Sequence, residues 1–184
     1  MCTAMTSPQT YEQQVAAILR ELGVPASFGS DSAMPLYREA TDLVPVGTDI
    51  YGRQQRLAPA AASCWQAMQM AAQQQGVSLV LVSAFRSVAY QRQIWERKLK
   101  AGESVQKILS VSAPPGYSEH HTGRAIDMTA PGCAPVIEQF ETTVAFAWLL
   151  ANAGAFGFSM TYPRSNRYGV IYEPWHWSVP EMAA

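Results

Sequence analysis

The stretch Ser118-Glu119-His120-His121-Thr122-Gly123-Arg124-Ala125-Ile126-Asp127 places an imidazole and a carboxylate seven residues apart around a glycine. Side chains alternate faces along a straight strand, so His120 and Asp127 would point to opposite sides of a sheet. Gly123, after Thr122, tolerates the positive φ of a tight turn, and Arg124 to Met128 alternates polar and apolar residues like a half-buried strand. The spacing predicts a bend at Thr122-Gly123, with His120 and Asp127 on neighbouring strands. Further on, Glu173-Pro174-Trp175-His176-Trp177 supplies a second imidazole and a spare carboxylate. Pro174 cannot donate a ladder hydrogen bond, so this segment is expected to be bent or bulged. Two imidazoles, one carboxylate ligand and one spare carboxylate are what a catalytic zinc centre with an open fourth position needs.

The 184 residues are 48% apolar and 15% charged, enough for one domain with a sizeable core and unlike a disordered chain. A net charge of −1, with no Lys/Arg-rich run, gives no electrostatic reason to expect nucleic acid or an anionic membrane surface as partner. No run approaches ~18 apolar residues, so no membrane span is expected. The first residues lack the basic start and apolar core of a signal peptide. As written, the chain reads as cytoplasmic, with periplasm or cell envelope the alternative if the true N-terminus is missing. Cys2, Cys64 and Cys133 form no Cys-x-x-Cys pair and receive no ligand role. Cys64 lies in a helical pattern and reads as a small core residue.

In chain order, Val15, Ile18, Leu19 and Leu22 predict a helix over Tyr11 to Leu22, stopped by Gly23. Pro25 to Pro45 reads as an irregular segment draped over the domain. Residues 1–45 are therefore assigned as a helix and irregular segment packed on a catalytic domain of 46–184. Leu57 to Gln75 predicts a helix, Val77 to Phe85 a buried strand delivering Arg86, and Val88 to Lys100 a helix carrying Gln91. Glu138 to Ala153 predicts a largely buried helix, while Phe156 to Tyr162 and Tyr168 to Trp177 predict two strands. These elements describe an α+β fold with a small, mainly antiparallel sheet flanked by helices.

Taken singly, Arg86 is an ordinary surface cation, and Trp175 and Trp177 are packing residues. Together, Ser118-x-His120-x-x-Gly123-x-Ala125-x-Asp127, Glu173-x-x-His176-Trp177 and Ser83-Ala84-Phe85-Arg86-Ser87 with Gln91 beyond resemble the zinc D-alanyl-D-alanine carboxypeptidases of the VanY type, over roughly Leu57 to Trp177. The resemblance implies that family's fold, zinc held by His120, Asp127 and His176, and Glu173 as catalytic base. It also implies Arg86, Gln91 and Ser118 as the grip on a substrate's terminal carboxylate, and it leaves His121 a non-ligand. The expected substrate is a peptidoglycan-derived peptide ending in D-Ala, cleaved by a water deprotonated by Glu173. Arg86 suits the anchor because a guanidinium makes paired, charge-assisted bonds to carboxylates.

Two other classes use a similar site. A phage-type endopeptidase cutting an L-alanyl-D-glutamate bond needs no free terminal carboxylate, which Arg86 and Gln91 argue for. A non-catalytic zinc module, as in hedgehog signalling domains, needs no spare base, so Glu173 argues against it. The chain departs from the family in showing no export signal and in stopping soon after Trp177, where many relatives carry a Tyr-Val-Gly segment.

Overall fold

A computed structural model describes residues 9–180; Cys2 lies outside them. Helix α1 (Tyr11–Glu21) begins with a capping box, in which Thr10 Oγ1 accepts the Gln13 N–H while the Gln13 side chain accepts the Thr10 N–H. One four-residue helix, α2 (Phe28–Asp31), interrupts the expected irregular segment. A hairpin that the sequence pattern did not reveal follows, β1 (Val44–Thr48) with β2 (Gln54–Leu57). Pro45, Gly47 and a polar second strand hide its period. Asp49 holds the turn instead, accepting the Tyr51 and Arg53 N–H groups, the Arg53 guanidinium and the Gln55 amide.

Helix α3 (Pro59–Gln74) starts with proline in its first turn, where a missing N–H costs nothing. Strand β3 (Val80–Ser83) is shorter than the expected Val77 to Phe85 run. Helix α4 (Val88–Lys100) is capped by Ser87, which accepts the Tyr90 N–H. Helix α5 (Val105–Val111), absent from the sequence reading, is a single capped segment too short to show a period.

Strand β4 (Ala125–Thr129) is buried at all five positions, not half-buried as its alternation suggested, because both of its faces are covered. The expected 138–153 helix is broken into a 3-10 turn over Glu138–Thr142 and helix α6 (Val144–Asn152), since Thr143 caps the latter. Helix α6 is not apolar-buried all round: Val144 and Leu150 are 74% and 60% exposed. Of the two expected late strands, only β5 (Ser159–Met160) and β6 (His176–Ser178) pair. Pro163 and Pro174 withhold donors from the intervening chain.

The four-stranded sheet runs β3-β4-β6-β5 and is antiparallel throughout. Trp65 and Met68 of α3 and Phe146 and Leu149 of α6 pack with Leu81, Ile126, Met128 and Trp177 in one core. A second cluster joins Val15 and Leu19 of α1 to Trp95 of α4, Ile108 of α5, Tyr117 and Tyr162. Asp127 alternates with Ile126 and Met128, so it faces away from the first core. No helix among the described residues is long and apolar enough to cross a membrane.

Candidate metal centre

Residues Glu119–Thr122 form a 3-10 turn closed by Gly123 at φ 65°, so His120 sits on a turn and not on a strand beside Asp127. A helical turn shortens the path to β4 and aims His120 at it, which a seven-residue hairpin would also have had to do. A Cβ at Gly123 would lie 2.9 Å from the Ala58 backbone nitrogen and 2.8 Å from Leu43 Cδ2. The turn is bolted to the β3–α4 junction: the Arg86 N–H donates to the His120 carbonyl (3.1 Å), and His121 Nδ1–H donates to the Arg86 carbonyl (2.6 Å). His121 Nε2 accepts the Gly116 N–H at 3.0 Å. Both His121 nitrogens are thus committed to backbone, and burial pushes its imidazole down to about 4, which keeps it neutral. This structural bonding explains why the adjacent histidine is not part of the cluster.

Asp127 of β4 and His176 of β6 are direct cross-strand partners, a relation that brings Cβ atoms within about 5.5 Å. His176 Nδ1 lies 3.0 Å from Asp127 Oδ1, and His120 Nε2 lies 3.2 Å from Asp127 Oδ2. The His120 contact is not aligned as a hydrogen bond, so Nε2 is buried without a partner, while Nδ1–H donates to the Ala84 carbonyl at 2.5 Å. One donor atom from each of His120, Asp127 and His176 lies within 4.8 Å of the others, and all three residues are buried. Two nitrogens, one carboxylate oxygen and an orphaned buried lone pair match the donor set of a divalent zinc site.

Charge in this cluster is set by burial and neighbours. Burial, reinforced by the Arg86 cation, pushes His120 down to about 4. Burial also opposes a charge on His176, but hydrogen bonds to Asp127 and Glu119 outweigh it and raise the imidazole to about 10. Burial acts against the Asp127 carboxylate too, yet His120, His176 and Arg86 hold it well below the usual range. Glu173 is pushed up to about 7, first by burial, with His176 opposing and Asp127 adding.

A cleft of about 410 Å³ opens onto these groups and collects every residue singled out in the sequence: Arg86, Gln91, Ser118, His120, Asp127, Glu173 and His176 all line it. Arg86 Nη2 is 3.7 Å from Asp127 Oδ2, and its Nε is buried without a partner. Gln91 differs from expectation in orientation. Its Nε2 already donates to the Ala113 carbonyl (2.7 Å) and Ser112 Oγ (3.1 Å), leaving Oε1 buried and unpartnered. A terminal carboxylate needs donors, so Gln91 as placed offers it the wrong atom.

Sequence reasoning passed over Glu119, which lies between Ser118 and His120. Its Oε2 is 2.8 Å from His176 Nε2. The only signal for it was a carboxylate adjacent in sequence to a candidate ligand. A larger cavity of about 760 Å³ lies on the far side of Glu119, lined by Tyr37, Arg124, Thr161 and Arg167 among others, and contains none of the three clustered donors.

Residues 54–180 match the family model described as VanY, D-alanyl-D-alanine carboxypeptidase. The chain is 32% identical over 117 residues to a D-alanyl-D-alanine carboxypeptidase of Enterococcus faecalis, an alignment covering 58% of this chain and 42% of that protein. It spans about half the length of the curated relatives it matches. Among solved structures it is similar to the LD-carboxypeptidase LdcB, with 30% identity and a TM-score of 0.69 over 79% of this chain and 71% of the other. It is also similar to a mutant of the vancomycin-resistance D,D-pentapeptidase VanY in complex with Zn(II), with 28% identity and a TM-score of 0.59 over 79% and 82% of the two chains. Matched across more than two thirds of its length, with the motif residues gathered into one cleft, the chain belongs to the VanY family of D-alanyl-D-alanine carboxypeptidases.

Proposed function

We propose that this protein is a zinc-dependent carboxypeptidase that hydrolyses the C-terminal D-amino acid, D-Ala, from peptidoglycan-type peptides. One observation carries the reading. Three buried side-chain atoms lack partners among the described residues, His120 Nε2, Arg86 Nε and Gln91 Oε1, and all three belong to residues lining the same cleft. Buried polar atoms without partners are costly, so such a concentration marks a place completed by something bound.

His120, Asp127 and His176 would hold the ion, which supplies the positive charge that acidifies water and polarises a peptide carbonyl. Glu173 is the general base. A buried carboxyl held up to about 7 suits proton transfer near neutral pH, first from the attacking water and then to the leaving amine. Arg86 anchors the substrate's terminal carboxylate through its unpartnered Nε–H, with Ser118 beside it in the cleft. Gln91 joins that grip only if its amide turns away from Ala113.

The test combines metal content with product identity. Alanine at His120, Asp127 or His176 should sharply lower bound zinc, and full occupancy in all three variants refutes the ligand set. Mass spectrometry of products from peptides ending in D-Ala-D-Ala, L-residue-D-Ala and their amides should show release of a single D-Ala from free acids. Cleavage only at an internal L-alanyl-D-glutamate bond would overturn the carboxypeptidase assignment.

A further inference from the structure

We infer that Glu119 is a positioning residue, fixing the His176 ring so that Nδ1 faces the metal cluster; this rests on the ligand set proposed above. His176 can rotate about its Cβ–Cγ bond, and a half-turn would put a ring carbon where Nδ1 now faces Asp127. Two contacts define the observed orientation: Nδ1 at 3.0 Å from Asp127 Oδ1 and Nε2 at 2.8 Å from Glu119 Oε2. The Asp127 contact is the one a metal would compete for, because the same carboxylate belongs to the cluster. The Glu119 contact lies at the ring's other nitrogen and survives such competition. It specifies the Nε2–H tautomer and so leaves the Nδ1 lone pair free.

Glu119 is itself held. Thr161 donates to Oε2 at 2.6 Å, Tyr37 donates to Oε1 at 3.4 Å, and Thr161 Oγ1 lies 2.9 Å from Ser178 Oγ. Ser178 is two residues beyond His176 on β6, so the same strand face that presents the imidazole braces the carboxylate orienting it. Tyr162 packs against the ring with centroids 4.9 Å apart, which restricts its tilt but offers Nε2 no acceptor. The turn over Glu119–Thr122 therefore acts on both imidazoles of the cluster. It carries His120 directly, and through the preceding residue it aims His176.

The experiment compares zinc affinity, by chelator competition on the full chain, in wild type, Glu119→Ala and Glu119→Gln, alongside His176→Ala. Glu119→Ala should bind zinc about 10- to 100-fold more weakly. Glu119→Gln keeps an oxygen that can accept the Nε2–H and should recover part of that loss, and it carries the test if the alanine variant does not fold. Nitrogen-15 NMR of zinc-loaded wild type should show a protonated, slowly exchanging His176 Nε2–H that is lost in Glu119→Ala. If His176→Ala loses zinc while both Glu119 variants keep wild-type affinity and an unchanged Nε2–H signal, the positioning role is wrong. A lower melting temperature with unchanged affinity also overturns it, leaving Glu119 a stability element. If His176→Ala retains zinc, the ligand assignment itself fails, a result distinguishable from either.

Discussion

Removing Arg86 tests where the substrate's free carboxylate is held. Its side chain is only 20% exposed, and its Nε has no partner among the described residues, so a bound carboxylate would satisfy a donor that is otherwise buried and unpaired. A hydrogen bond involving a charged group contributes about 1.5–3 kcal/mol. At 1.36 kcal/mol per tenfold, that is about 10- to 150-fold in kcat/KM. Arg86→Ala also removes a cation 3.7 Å from Asp127, so the single substitution mixes anchoring with a changed metal site. The clean quantity is a ratio. Steady-state hydrolysis of a peptide and its C-terminal amide should differ by about 10- to 150-fold in wild type and by far less in Arg86→Ala, because a missing partner makes amidation inconsequential. Gln91→Ala should leave the wild-type ratio nearly intact, since both amide hydrogens of Gln91 already serve Ser112 and Ala113. A ratio unchanged by Arg86→Ala would place the anchor elsewhere. Equal hydrolysis of acid and amide by wild type would refute the anchor altogether and favour an endopeptidase.

Glu173→Gln should retain zinc while kcat falls by about 10²–10⁴, measured by metal analysis and single-turnover hydrolysis; loss of metal in step with activity would make Glu173 a ligand. Zinc binding should release close to one proton, because His176 is protonated below about 10 in the metal-free cluster and must yield its Nδ1 proton. Affinity should therefore rise with pH, by about tenfold from pH ~7.5 to ~8.5, and calorimetry in buffers of different ionisation enthalpy should detect the proton; a pH-independent affinity contradicts this. Gly123→Ala should destabilise the protein by about 1–3 kcal/mol in denaturant titrations, since it combines φ 65° with a Cβ 2.9 Å from the Ala58 nitrogen, and an unchanged midpoint would show that the turn relaxes freely.

The sequence by itself pointed to the candidate donors and located helices α1, α3 and α4. His120, Asp127, His176 and Glu173 stood out as candidates because they fall in two short motifs that resemble the VanY-type family, and the fold brings all four to one cleft. Helices α1, α3 and α4 were legible because their period, caps and glycine or proline stops are local. The strands were less so, because a strand's extent depends on a partner remote in the chain: Val77 to Phe85 looks continuous, yet only Val80–Ser83 pairs. Burial of both faces of β4 likewise comes from elements distant in sequence. Tertiary structure alone decided that His120 rides on a 3-10 turn, that His121 is committed to Arg86 and Gly116, that the Gln91 donors are taken up by Ser112 and Ala113, and that Glu119 meets His176 across 57 residues. Residue type states which bonds a side chain can make. Which of them it makes depends on the atoms that folding brings within about 3 Å, and a sequence does not list those.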